Sequence, residues 1–402
     1  MLTFLGKIWI PGADARRLFL KNHFVKLFFA GDFCSRPAAS RIVVSEDLKD
    51  LIRSCDLRIV NFEVPLKPDV DLPPQGRQRY FQSDDAPDFL RGLGFDLFQL
   101  ANNHAFDWDE AGYRKTRKAL GDAAFGAGTY EEAYRVKTVE AGGFKIGFLA
   151  LSFAAYKGVF DDRTKYGGLG CAYINDLSVN HIIMRAKQEV DYLFVLPHDG
   201  IEYIDVPLPE TIARYRDFID YGADGVVGTH PHCPQGWESY KGKPIFYSLG
   251  NFLFNSKEGY SYRATKPHWY EGICAIVSIE DGVLSWEVVN TRNVDNVAIQ
   301  LDSGEDRKAH NAHICSLLED PAAYWTCFRE ACEREGYAKL LRTVDVTMHP
   351  SNMKMCTRRV VNYWWRKLTG RKPAAPDDLA LERLFRHDAN RQFLLWALRL
   401  HK

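Results

Sequence analysis

The chain has 402 residues, 46% of them hydrophobic and 26% charged, a balance that excludes a disordered, collagenous or low-complexity protein. Fifty-two basic residues offset 52 acidic ones, so no global field recruits nucleic acid and no nucleic-acid partner is expected. Nine cysteines are scattered with no CxxC pair, which excludes zinc-ribbon and thioredoxin sites and points to free thiols in a reducing compartment.

In chain order, residues 1–23 read as an N-terminal extension. The apolar run within Met1 to Ile10 is too brief for a signal peptide, and no stretch reaches the roughly 20 apolar residues that cross a bilayer. The expected location is cytoplasmic. Residues 24–300 form the main domain. Its predicted strands are Val25–Ala30, Leu57–Asn61, Leu97–Ala101, Lys145–Leu151, Tyr192–Pro197, Gly225–Val227, Pro244–Ser248 and Ile273–Ile279. They are short, rich in β-branched and aromatic residues, and bounded by Gly, Asp, Asn or Pro. Helices are predicted between them at Ser45–Ser54, Asp84–Leu93, Asp109–Asp122, Val179–Glu189 and Pro209–Gly222. The alternation defines an α/β domain, and the helix-poor run after Pro244 implies antiparallel members or a second sheet.

Residues 301–402 change character and read as a helical C-terminal extension. Amphipathic helices are predicted over Asp306–Ala338 and Asp377–Lys402, the second after a break at Pro373-Ala-Ala-Pro376 and capped by Asp377. The last helix is apolar on more than one face, so it is expected to pack on the domain rather than fold alone. Residues 354–372 carry seven Lys and Arg, no acidic residue, and Tyr363, Trp364 and Trp365. They read as a solvated helix face with buried aromatics, in preference to a membrane or polyanion surface.

The functional signal lies at the strand ends, where open α/β sheets bind ligands. In turn the strands run into Gly31-Asp32, Asn61-Phe62-Glu63, Asn102-Asn103-His104, His198-Asp199-Gly200-Ile201-Glu202 and His230-Pro231-His232. Alone, each is a commonplace cap, turn or surface histidine. Together they make a mixed oxygen and nitrogen donor set suited to a divalent metal such as Mn, Fe, Zn or Mg and not to a thiolate site. Arg36 and Arg79 are candidates for two-pronged binding of substrate carboxylates or phosphates. Gly126-Ala-Gly128 lacks the spacing of a dinucleotide fingerprint.

In this order the motifs resemble the CapA family of bacterial capsule synthesis proteins, named for poly-γ-glutamate capsule assembly. The most specific stretch is Gly222 to Phe254, GADGVVGTHPHCPQGWESYKGKPIFYSLGNFLF, which carries an HPH segment and a YSLGNF signature. Leu100-Ala-Asn-Asn-His104 with Asp107 and Gly112 fits as well, and the resemblance spans about residues 24–290. The family is similar to calcineurin-like metallophosphoesterases. That implies a β-sandwich of two sheets flanked by helices and a centre for one or two divalent transition metal ions, Mn, Fe or Zn.

Carried over residue by residue, the resemblance makes Asp32 the first metal carboxylate and Glu63 the bridging one, with Asn61 beside it on the substrate side. Asn103, His198, His230 and His232 are the remaining metal ligands. His104 acts on substrate, and Glu202 is a supporting catalytic group. The phosphoesterase Asp-x-His is here Asp32-Phe33-Cys34, so one ligand is missing or replaced by Cys34. The expectation is a metal-dependent hydrolase or amide-bond-processing enzyme on a polyanionic or γ-glutamyl-type substrate, linked to capsule, poly-γ-glutamate or cell-envelope biosynthesis and to capsule-synthesis proteins. A non-catalytic binding partner of a capsule synthase and a phosphoesterase proper are the alternatives.

Overall fold

A computed structural model describes residues 23–70, 72, 79–154, 158–160, 168–255, 266–337 and 388–400. The chain first lays down β1 (Phe24–Ser35), β2 (Val43–Val44), β3 (Leu57–Phe62), β4 (Leu97–Gln99) and β5 (Ala124–Phe125). After the short β6 (Ala127–Gly128) it builds β7 (Lys137–Ala141), β8 (Phe144–Ser152), the short β9 (Gly170–Cys171), β10 (Tyr192–His198), β11 (Gly225–Val227), β12 (Pro234–Tyr240) and β13 (Lys243–Leu249). It then returns with β14 (Asn251–Asn255), β15 (Glu271–Glu280), β16 (Val283–Val294) and β17 (Ala298–Leu301). The outcome is two large sheets, ordered β2-β17-β16-β15-β1-β3-β4-β5, with β14 also paired to β1, and β12-β13-β11-β10-β8-β7, and a small two-stranded pair, β6-β9.

Strand β1 is central because both of its faces are apolar: Val25, Leu27, Phe28 and Phe29 are all buried. Phe29 crosses the interface between the sheets, its ring 5.5 Å from Phe194 of β10 and 6.3 Å from Phe148 of β8. Helices α1 (Glu46–Arg53) and α2 (Ala86–Leu93) contribute Leu48, Ile52, Leu90 and Leu93 to that core. Two later helices, Ser178–Glu189 and Pro209–Asp220, cover the outer face of the second sheet with Val179, Ile183, Tyr215 and Phe218. The two-sheet, helix-flanked sandwich is the architecture that the sequence resemblance implied.

At two points the backbone of neighbouring segments approaches so closely that only glycine fits. A Cβ on Gly31 would lie 1.9 Å from the Gly250 carbonyl oxygen, and one on Gly228 would lie 2.2 Å from that of Tyr247. Gly31→Ala must therefore push backbone against backbone beside Asp32. Its expected cost is about 3 kcal/mol or more, at the upper end of overpacking, read as a lowered urea midpoint.

Boundaries differ from expectation in informative ways. Strand β1 runs on to Ser35, so Asp32 lies within it rather than after it. The helix expected over Asp306–Ala338 is three pieces: Glu305–Glu319, Pro321–Ala331 and a π-helical turn at Cys332–Tyr337. Pro321 lacks an N–H and would clash with the preceding turn, and the Asp320 carboxylate restarts the helix by accepting from the Ala322 and Ala323 amides at 2.9 and 3.1 Å. Strands β7, β12, β14, β16 and β17 and the two-residue strands β2, β5, β6 and β9 were not expected.

Of the last predicted helix, Asp388–Leu400 is described, and residues 354–372 and Cys356 lie outside the described residues. Helix Glu305–Glu319 lies on β12, where a Cβ on Gly236 would meet the Ile314 oxygen at 2.6 Å. Tyr324, Phe328, Phe393 and Ala397 share a core with Ile201, Ile204, Val206 and Leu208. Tyr324 Oη donates to the Pro207 oxygen at 2.8 Å, and Trp396 Nε1 donates to Glu210 Oε1 at 3.0 Å. We propose that the described residues from 305 onward belong to the same folding unit as the domain. A fragment of residues 305–402 is then expected to show no cooperative thermal transition of its own, and a sharp one would refute this.

Candidate metal centre

Strand register assembles the centre. Asp32 pairs with Asn61 of β3 on one side and with Asn251 of β14 on the other, both parallel to β1. Both pairings shift register at Asp32, a local irregularity of the kind that re-aims side chains. In the second sheet, His198 ends β10 opposite Ser152 of β8 and bridges to Thr229 after β11. The edges of the two sheets thus meet at Asp32, Glu63, Asn103, His198, His230 and His232.

Three overlapping groups of potential ligands result: Asp32, Glu63 and His232; Glu63, His198 and His230; and Glu202, His230 and His232. Within each group one ligand atom per residue lies within 4.8 Å of the others. All but the half-buried Glu202 are buried. The loop carrying the histidines is held in unusual backbone: His230 has φ 102° and His232 φ 56°. Such non-glycine conformations cost about 1–3 kcal/mol each and persist where surrounding contacts over-determine them. Here the His230 N–H donates to Asp32 Oδ2 at 3.2 Å, and its ring lies 4.4 Å from that of Phe153.

The electrostatics call for a cation. Burial opposes charge on Asp32, yet the bond to His232 and the charges of His232 and His198 hold its carboxyl below the usual range. Glu63 has no such help. Burial, then repulsion from Asp32 and Glu202, pushes its carboxyl well up. Neither Glu63 oxygen meets a hydrogen-bond donor among the described residues, while His232 Nε2 stands 3.5 Å and His198 Nε2 4.0 Å from Oε1. Burial drives His198 down to about 3, so it is neutral, as a ligand must be. Burial alone would lower His232 as well, but the bond to Asp32 raises it. A buried carboxylate without a donor, among acids and a neutral imidazole, is a poor apolar core and a good seat for a divalent cation.

Supporting contacts fix the rings. Asn251 Oδ1 lies 2.9 Å from His232 Nδ1, and Asn251 Nδ2 donates to the oxygens of His232 and Trp269. Thr229 Oγ1 lies 3.1 Å from His198 Nδ1, and Asn103 Oδ1 lies 2.9 Å from His198 Nε2. The Asn61 side chain donates to Asp32 Oδ1 at 2.6 Å, lies 3.1 Å from His198 Nδ1, and accepts from Asn102. The buried Asn61 amide is thus engaged with both Asp32 and His198.

His104 stands apart from the ligand groups, and the backbone turns sharply after Asn102, whose Oδ1 accepts from the His104 N–H at 3.1 Å. Its Nδ1 is 2.9 Å from Asp107 Oδ2, which also accepts the Tyr80 N–H. With the Nδ1 proton directed at that carboxylate, the ring's lone pair is on Nε2. Cys34 packs with Val64, Phe254 and Trp269 and belongs to none of the ligand groups. Arg36 lies outside those groups too, its guanidinium 4.8 Å from the Phe81 ring centre. Sequence reasoning assigned no role to Asn251, Thr229 or Asp107. Asn251 sits inside the YSLGNF segment and Asp107 within the Asn-His motif, so the signal was present as motif residues without a function.

A two-sheet sandwich whose meeting edges hold buried carboxylates and histidines defines a candidate metalloprotein. The chain belongs to the bacterial capsule synthesis protein family PGA_cap, whose family model matches residues 26–256. It is similar to the capsule biosynthesis protein CapA of Bacillus anthracis, 33% identical over 174 residues that cover 41% of this chain and 42% of the relative. It is also similar to the PGA biosynthesis protein CapA of Bacillus subtilis, 27% identical over 214 residues, 52% of this chain and 56% of the relative. The chain thus spans about half the length of the curated relatives it matches. Among solved structures, a Mycoplasma pneumoniae protein described as a novel phosphatase aligns over 67% of this chain and 94% of its own, at 13% identity and a TM-score of 0.42. Among the described residues no helix is long and apolar enough to cross a membrane.

Proposed function

We propose that this chain is a metal-dependent hydrolase or amide-bond-processing enzyme acting on a polyanionic or γ-glutamyl-type substrate, in capsule or cell-envelope assembly with capsule-synthesis proteins. The observation that carries the reading is the buried Glu63 carboxylate, without a donor among the described residues and set between Asp32, His198 and His232. Asp32, Glu63, Asn103, His198, His230 and His232 would hold one or two divalent ions, with Mn, Fe and Zn matching the oxygen and nitrogen donors. When bound, such an ion supplies Lewis-acid polarisation of a substrate oxygen and a more acidic water.

The chain's own groups supply the rest. His104, oriented by Asp107, takes or delivers a proton at Nε2. Glu202, half-buried at the edge of the ligand groups, is the second proton-handling group. Arg36, held over Phe81, is the cation assigned to substrate carboxylates.

Elemental analysis tests the premise. The purified protein is expected to carry about one to two equivalents of Mn, Fe or Zn at this centre, and chelation should lower its thermal midpoint until one of these ions is restored. Protein without metal that gains no thermal stability from any of the three would sink the assignment.

A further inference from the structure

A cleft of about 410 Å³ lies beside the metal centre, a size that fits a small molecule or one end of a chain. Tyr203 and Trp269 stand between the cleft and the centre. The Tyr203 ring is 6.2 Å from that of His232 and 24° from parallel with it, and the Trp269 ring is 5.0 Å from the same imidazole. The Tyr203 N–H donates to the Pro231 oxygen at 2.7 Å, which ties this wall to the loop that carries His230 and His232. A further wall comes from the C-terminal segment: Cys327 and Glu330 of helix Pro321–Ala331, then Arg334 and Glu335 of the π-helical turn. Those residues lie beyond the stretch matched by the family model, so the cleft is completed by a part of the chain that family membership does not explain.

The charges of the lining are mixed. Lys266 Nζ stands 3.3 Å from Glu335 Oε2, and Arg334 Nε stands 3.7 Å from Glu335 Oε1, so two cations share one carboxylate. Lys266 Nζ also lies 4.9 Å from the Tyr203 ring centre, which brings that ammonium to the wall nearest the metal ligands. Half-buried Asp205 lines the cleft three residues after Glu202 and pairs with no cation among the described residues, and neither does Glu330. A ligand with only negative charges would face Asp205, Glu330 and Glu335; one with only positive charges would face Lys266 and Arg334. A zwitterion satisfies both sets, its ammonium toward Asp205 and its carboxylate toward Lys266 and Arg334, with the aromatic rings against its methylene groups.

We propose that this cleft binds the amino end of a γ-linked glutamyl chain. The inference rests on the γ-glutamyl reading above for the identity of the chain, and on the cleft for which part of it is held. In such a chain each linkage consumes a γ-carboxyl. Interior residues then carry a carboxylate alone, whereas the first residue keeps an α-ammonium and an α-carboxylate on one carbon. Methylene groups separate that head from the first γ-amide, and Tyr203 and Trp269 are the apolar surface between the cleft and His232. The C-terminal segment is thereby a specificity element that selects chain ends over chain interiors.

The test is calorimetric titration of the full-length protein, as purified and again after chelation, with γ-glutamyl-glutamate and with its N-acetyl derivative. The free dipeptide should bind in both conditions, because none of the metal-ligand residues lines the cleft. N-acetylation should weaken binding by about 10-fold or more, the usual worth of a charge-assisted contact. Asp205→Asn should remove that preference, and Arg334→Gln should weaken both ligands. Equal affinity of the wild type for the two dipeptides, no binding of the free one, or equally tight binding of α-linked glutamyl-glutamate overturns the proposal, and none of these comparisons depends on a variant that folds. The hydrolase reading fails separately: a protein that carries no metal but prefers the free γ-linked dipeptide loses that reading and keeps this one, and a metal-loaded protein indifferent to N-acetylation does the reverse.

Discussion

His230→Ala is expected to strip metal from the centre, whereas His104→Ala is expected to keep the metal and the fold and lose turnover by about 10²–10⁴-fold, the usual worth of a positioned acid or base. The difference follows from placement. His230 belongs to two of the three ligand groups, so its loss breaks both at once. His104 belongs to none of them, and its Nδ1 is engaged with Asp107. Because His230 has φ 102°, alanine inherits its backbone strain, and His230→Gly serves as the control that removes the ring and the strain together. Metal content by elemental analysis and turnover of a γ-glutamyl oligomer are read on the same preparations. A His104→Ala protein that loses metal in step with activity would make His104 a ligand. One that retains full turnover would remove it from the chemistry.

The strands that deliver the ligands were legible because they are buried on both faces and read as unbroken apolar runs ending in polar residues. Val25–Ala30 and Tyr192–Pro197 are the clearest cases, and each lies inside an observed strand. The more exposed strands were not legible. Strand β16, LSWEVVNTRNV after Val283, mixes polar and apolar residues because much of it is half-exposed. The Asp281-Gly282 turn before it, both residues at positive φ, was an available hairpin signal. The break at Asp320-Pro321 was equally readable, since proline inside a helical pattern ends the helix before it. The ligands could be named from strand-end position. Their orientation could not, because it depends on contacts across the chain: Asn251 with His232, and Asn61 with both Asp32 and His198. Those pairings need both the parallel register of β1, β3 and β14 and the approach of His198 and His232 from the second sheet, which no local pattern encodes.

Glu63→Gln is expected to raise the thermal midpoint of the metal-free protein and to lower that of the metal-loaded protein, a reversal that needs no substrate to observe. In metal-free protein the Glu63 carboxyl is buried, lacks a donor among the described residues, and is pushed up by burial and by Asp32 and Glu202. An acid raised in the folded state holds its proton there while the unfolded chain, near 4.5, gives its proton up. The folded state then binds more protons, so the group's contribution to stability is full below that unfolded value and is lost as pH rises toward the folded one. Glutamine has the same shape and no charge to bury, so its advantage over glutamate should grow from pH 5 to pH 8. Against it stands the amide, whose desolvation costs about 1–3 kcal/mol if its N–H groups find no acceptor. Asp32 and Glu202 oppose charge on Glu63, and Asp32 offers an acceptor oxygen to an amide, so the balance favours glutamine. A divalent ion reverses the comparison. It needs a carboxylate between the histidines, and the amide is the weaker ligand for a hard or borderline cation. The ion stabilises the native state in proportion to how tightly it binds, so the weakened site forfeits that stabilisation. At about 2–4 °C per kcal/mol, both changes should be resolved by calorimetry at pH 7.5 with and without Mn²⁺ or Zn²⁺. A variant destabilised equally in both conditions would mean that Glu63 serves packing alone, and the metal assignment would lose its principal support.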